Sequence, residues 1–313
     1  IRGMGGIGKT ELARMVAEVT LAQCPDGQIQ VDMQKDGVAL KPEEILRSII
    51  TSLEPSARLP DELPQLAAIY RDLLKGRRGL LLLDNARDGR GLDALLPPPQ
   101  GWAVIVTSRT RFHVQGMIKV DLELLAPEEA HRLMRRHLEG SGRSVTDEDI
   151  EVLCKRCGYL PLAIRVAASY LATYVDWPVA RYLEALEECR LECLKLEDAD
   201  HADVGAVLQV SIDQLRDRDP VQSGQWRTLA VFPTLFDAEA AAAVLNVPAP
   251  TARALLSGLT HLSLLTWDEK TGSYGMHDLL RDCALEPREG WPDPPALDDA
   301  VVLRHGRCYL QRA

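Results

Sequence analysis

The sequence lacks any long apolar run. Its longest run of large aliphatic residues, Leu80 to Leu83, is four residues. Spanning a bilayer takes roughly 20, so this run reads as a buried strand and no membrane partner is expected. It also lacks an excess of positive charge: the net charge is −10. Phosphate-backbone binding usually shows as a basic patch or stripe, so nucleic acid is an unlikely partner on charge alone. A secreted disulfide pattern is missing too. Seven cysteines is an odd count, which points to a reducing, cytoplasmic setting. Cys154/Cys157 and Cys189/Cys193 have metal-like spacings, but both pairs fall in helical patterns. They read as small buried hydrophobes, with zinc the lesser alternative. Internal repeats and a signal-peptide pattern are also missing. The chain opens inside a motif, so an upstream segment is expected.

What is present suffices for two or three units with real cores: 313 residues, 46% hydrophobic and 26% charged. Residues 1–122 alternate strand and helix patterns. Leu12, Met15, Val16 and Val19 recur at helical spacing, and Ile29–Met33 alternates like a strand. Pro42 opens a helix, and another carries Leu66, Ile69, Tyr70, Leu73 and Leu74. Leu80–Asp84 and Val104–Thr107 are runs typical of parallel strands buried on both faces. The expected fold class is therefore α/β, a doubly wound parallel sheet. Residues 123–203 read as a helical domain, with helices from Pro127, from Thr146 (capped with Asp149) and from Pro161. The acidic stretch Glu197–Asp203 reads as a solvated linker. Residues 204–286 show three helical patterns, then Leu264–Trp267 and Ser273–Met276 around a turn, the order of a winged helix. Residues 287–313 read as a Pro-rich connector and, at Ala300–Leu310, the start of a further helical region.

Gly3-Met4-Gly5-Gly6-Ile7-Gly8-Lys9-Thr10 satisfies G-x-x-x-x-G-K-[ST] in full, with Glu11 next. Backbone N–H groups of such a loop, and the helix N-terminus after it, cradle phosphate. Lys9 would reach the β- and γ-phosphates and Thr10 would ligate Mg²⁺. A P-loop follows a buried strand, and only Ile1 and Arg2 precede this one. The first, central strand is expected upstream. A second buried strand delivers Asp84, the natural Mg²⁺-side carboxylate, at its C-terminal end. A third ends in Thr107-Ser108-Arg109, where Arg109 could sense a γ-phosphate, with Arg111 a competitor.

These elements resemble the P-loop, the Walker B strand and the sensor arginine of the NB-ARC (AP-ATPase) branch of the STAND NTPases. Two more motifs sharpen the resemblance. Gly158-Tyr159-Leu160-Pro161-Leu162-Ala163 looks like the family's GLPL motif, and Met276-His277-Asp278 is its MHD motif, in the expected place after a hairpin. The resemblance implies that Pro161 packs against the adenine end of the nucleotide and that His277 contacts the β-phosphate of ADP. It implies ATP/ADP and Mg²⁺ as cofactors and a signalling switch, closed with ADP and self-associating with ATP. It also implies an N-terminal effector and a C-terminal sensor outside this chain. A bacterial type fits the dominance of arginine over lysine. One residue departs from many relatives: the position after Asp84, often a second acid, is Asn85. An amide cannot accept a proton from water, so slow hydrolysis is expected, with Asp88 a candidate substitute. The alternative function is a transcriptional regulator whose winged helix binds DNA.

Overall fold

The computed structural model describes residues 1–35, 38–193, 202–269, 271–287 and 295–310. They divide into two compact units, Ile1–Glu123 and Leu124–Ala313.

The first unit carries α1 (Lys9–Val19), β1 (Gln28–Asp32), β2 (Gln34–Lys35), β3 (Val38–Ala39), α2 (Pro42–Leu53), α3 (Leu63–Leu74), β4 (Gly79–Ala86) and β5 (Trp102–Ser108). The sheet order is β1-β4-β5, all parallel, with Leu81 opposite both Ile29 and Val104. Gly79 to Leu83 are all buried, which is why the run reads as continuous apolar sequence. Gly79 itself is demanded by packing, since a Cβ there would lie 2.5 Å from the Trp102 ring. That ring is fixed by its Nε1–H, which donates to the Leu74 carbonyl at 3.0 Å. Beside β5, Arg2 bridges in parallel to both Ser108 and Asp121. This is the position in which a strand leading into the P-loop belongs.

The apolar stripe expected on α1 does not form core. Met15 and Val19 are 62% and 78% exposed, and Ala13 is the apolar residue of α1 that is buried. The helix packs on β4 and β5, and the contact is made by its buried side, not by this stripe.

The second unit carries α4 (Pro127–Leu138), α5 (Asp147–Arg156), α6 (Pro161–Thr173), α7 (Val179–Cys193), α8 (Ala202–Arg218), α9 (Pro220–Leu229), α10 (Ala238–Leu245), α11 (Ala249–His261), β6 (Thr266–Asp268), β7 (Ser273–Gly275), α12 (Asp278–Leu285) and α13 (Asp299–Leu310). The Thr146 cap forms as the sequence suggests: its hydroxyl accepts the Asp149 N–H at 3.1 Å. One apolar core takes Val166 from α6, Ile212 from α8, Trp226 from α9, Leu256 from α11 and Leu280 from α12. Val301 and Cys308 of α13 join it, so this helix packs on the unit. Of the acidic stretch 197–203, all but Ala202 and Asp203, which open α8, lies outside the described residues.

α12 is held from below by a buried arginine. Arg227 of α9 is 2% exposed. Its Nε donates to the Ala284 carbonyl at 3.0 Å and its Nη2 to that of Glu286 at 3.1 Å. These are carbonyls that a helix end leaves without intrahelical donors. Lysine keeps the charge but not the two-pronged geometry. Arg227→Lys is therefore expected to lower stability by about 1 kcal/mol, the worth of one hydrogen bond, read as a lower urea midpoint with an unchanged slope.

Candidate nucleotide site

The P-loop is a turn that ends in a left-handed residue. Gly8 has φ +99° and stands as N-cap of α1, a conformation that costs glycine little. Ile7 is buried and anchors the loop, and the Gly3 N–H donates to the Ser108 carbonyl at 3.3 Å. Lys9 is 9% exposed and its Nζ donates to the Met4 carbonyl at 2.8 Å. The ammonium is thus folded over the loop it serves. Glu11 is exposed in the first turn of α1, 3.5 Å from Arg14.

The two residues assigned to the metal side are brought together. The Thr10 hydroxyl donates to Asp84 Oδ1 at 2.9 Å, joining residues 74 positions apart. A hydroxyl and a carboxylate at the mouth of a phosphate loop are the hard oxygen donors that Mg²⁺ takes alongside phosphate and water, so the donor set fits that ion.

Thr107 is the residue that sequence reasoning passed over. It is 1% exposed. Its hydroxyl donates to the same Asp84 Oδ1 and accepts the Asn85 N–H at 2.9 Å. A hydroxyl at the tip of a buried strand, adjacent to the strand bearing Asp84, was the available signal. Asn85 has φ +62°, and its carbonyl accepts Gln34 Nε2 at 2.8 Å. Asp88 lies in a bend, where it accepts the Arg90 N–H at 2.8 Å and Nε–H at 2.9 Å. That engagement on the surface disfavours it as a substitute base. Arg109 follows the last residue of β5 and is exposed, as is Arg111.

In the second unit, Pro161 is the first residue of α6 and is half-buried. It follows a turn in which Gly158 and Tyr159 both have positive φ, +56° and +53°. The Tyr159 carbonyl accepts the Leu125 N–H at 3.2 Å. His277 is the N-cap of α12, its Nδ1 accepting the Leu279 N–H at 3.2 Å. With Nδ1 an acceptor, the neutral ring carries its proton on Nε2. Cys154 and Cys157 are fully buried, and burial pushes the Cys154 thiol up to about 12. That pair behaves as core, not as thiolate ligands.

Residues 1–139 match the NB-ARC domain family model. The regulatory protein AfsR of Streptomyces coelicolor is 40% identical over 323 residues, covering 100% of this chain and 32% of that protein. AfsR of Streptomyces griseus is 37% identical, with the same coverage. The probable disease resistance protein RF45 of Arabidopsis thaliana is 29% identical over 56% of this chain and 19% of its own length. The chain thus spans about a third of the AfsR proteins it matches. Among solved structures, a STAND protein with a tetratricopeptide repeat sensor from Pyrococcus horikoshii superposes with a TM-score of 0.60 at 18% identity, over 99% of this chain and 42% of that one.

Proposed function

We propose, on the premise that residues 1–139 match the NB-ARC domain family, that the chain is the ADP/ATP-dependent switch of a longer signalling protein of the STAND class. One observation carries the reading: Lys9 folds over the loop and the Thr10 hydroxyl meets Asp84, groups of the first unit suited to phosphate and Mg²⁺. ADP keeps the protein closed and monomeric; exchange to ATP opens it and lets it self-associate, acting on effector and sensor regions outside the chain. Hydrolysis is slow, because Asn85 offers no carboxylate to the attacking water. Mg²⁺ supplies charge neutralisation at the phosphates, while Lys9, Thr10 and Asp84 bind and orient. The helices α10 and α11, the β6–β7 hairpin and α12 form a winged-helix subdomain that carries His277. Among the described residues no helix is long and apolar enough to cross a membrane.

Chromatography of the supernatant from denatured protein should yield adenine nucleotide. Guanine nucleotide, or none together with no ADP binding by calorimetry, would sink the reading. In the same calorimeter Lys9→Ala is expected to weaken ADP about tenfold. It removes a charge-assisted bond worth about 1.5 kcal/mol or more, while the loop amides and Thr10 remain.

A second reading is favoured by the name of the AfsR relatives, regulatory proteins: the winged helix binds DNA. Against it, Arg253 of α11 is held by Glu239 at 2.8 Å, and much of the rest of that helix is Leu and Ala. Such a face suits protein packing more than phosphates. DNA binding by this chain that weakens steeply with salt would favour the second reading.

A further inference from the structure

β4 and β5 are in register up to Leu83 opposite Val106 and resume with Ala86 opposite Ser108. Asp84 and Asn85 therefore share one opposite number, Thr107. Two residues against one is a β-bulge, a device that re-aims a side chain. The Thr107 hydroxyl closes this one, since it accepts the Asn85 N–H and donates to Asp84 Oδ1. One hydroxyl thus ties the bulged backbone to the carboxylate that the bulge displaces. Asn85 takes the left-handed conformation there, φ +62°, which asparagine tolerates far better than a β-branched residue does.

We propose that Thr107 is a positioning residue for the metal side of the site. Through the bulge it holds the Asp84 carboxylate in the orientation that meets Thr10, and Asn85 is the residue that lets the backbone adopt the bulge. The proposal rests on the nucleotide-switch reading and adds to it a part of the chain that the P-loop and Walker B patterns leave out. Its chemical content is specific. Valine has the shape of threonine without the hydroxyl, so Thr107→Val removes both bonds with little change of volume. Serine keeps the hydroxyl.

The test is ADP affinity by calorimetry on the whole chain, in excess Mg²⁺ and in EDTA, for parent, Thr107→Val and Thr107→Ser. In EDTA all three are expected to bind alike. In Mg²⁺ the parent binds more tightly; Thr107→Val forfeits about tenfold or more of that gain, the worth of a hydrogen bond to a charged group, and Thr107→Ser recovers it. If Thr107→Val fails to fold, Thr107→Ala is read the same way. A Mg²⁺-dependent gain equal to that of the parent overturns the proposal while leaving the switch reading intact. Affinity lost equally in both buffers also overturns it, because it makes Thr107 merely structural. A parent that binds no adenine nucleotide in either buffer overturns the switch reading itself, and the proposal with it.

Discussion

Asn85→Asp is expected to raise single-turnover ATP hydrolysis by about a hundredfold, the low end of what a positioned general base contributes. The argument begins with the side chain. An amide can hold water by hydrogen bonds but has no lone pair basic enough to take its proton. Asp88, the next acid along the chain, already accepts two bonds from Arg90. The backbone at position 85 is left-handed, and aspartate tolerates that conformation about as well as asparagine does. The Thr107 and Gln34 bonds to position 85 are made by its backbone N–H and carbonyl, so they survive the change. Asn85→Gly is the control: it keeps the backbone and adds no carboxylate, and its rate should stay at or below the parent's. An Asn85→Asp rate equal to the parent's would mean that domain motion, not proton transfer, limits turnover.

The parts legible in the sequence are those where one local pattern has one physical cause. The apolar runs at Leu80–Leu83 and Val104–Thr107 read as buried strands; they lie in β4 and β5, the first fully buried, the second with Val104 and Ile105 only half-buried. The full P-loop pattern fixes both the turn and the start of α1, because a loop of that spacing must end at a helix N-terminus. The Ala238–Leu245 pattern is α10 to the residue. Other parts were hidden for physical reasons. Met15 and Val19 have helical spacing, but spacing reports a shared face and not what covers it. The two-residue pair β2–β3 is too short for alternation to register. Thr107 serves through a bulge, a register shift between strands 22 residues apart in sequence, which no local pattern encodes. Arg227 is buried because α12 ends on it, and an arginine read in isolation is assigned to solvent. His277 was read from its motif, while its second task as a helix cap became visible only in the geometry.

That second task changes how the most specific element of the family pattern should be tested. His277→Ala is expected to speed ADP release about ten- to a hundredfold, if the ring bonds the β-phosphate as the family resemblance implies. A hydrogen bond to a charged group is worth about 1.5–3 kcal/mol, and its loss weakens the closed state without touching Lys9, Thr10 or Asp84 in the first unit. Oligomers should then form at lower ATP. Alanine also removes a cap, however, since Nδ1 accepts the Leu279 N–H, and losing an N-cap costs about 0.5–2 kcal/mol by itself. Serine separates the two effects: it caps well but is too short to replace the imidazole at a phosphate. His277→Ser should therefore release ADP as fast as His277→Ala while melting closer to the parent. The measurement is the off-rate of a fluorescent ADP analogue beside a thermal melt and size-exclusion chromatography in ATP. If His277→Ser holds ADP as long as the parent, and only His277→Ala is altered, then His277 serves α12 and not the nucleotide. With Nδ1 spent on the cap, the proton of the neutral ring sits on Nε2, so the donor that a phosphate oxygen needs exists without protonating the ring.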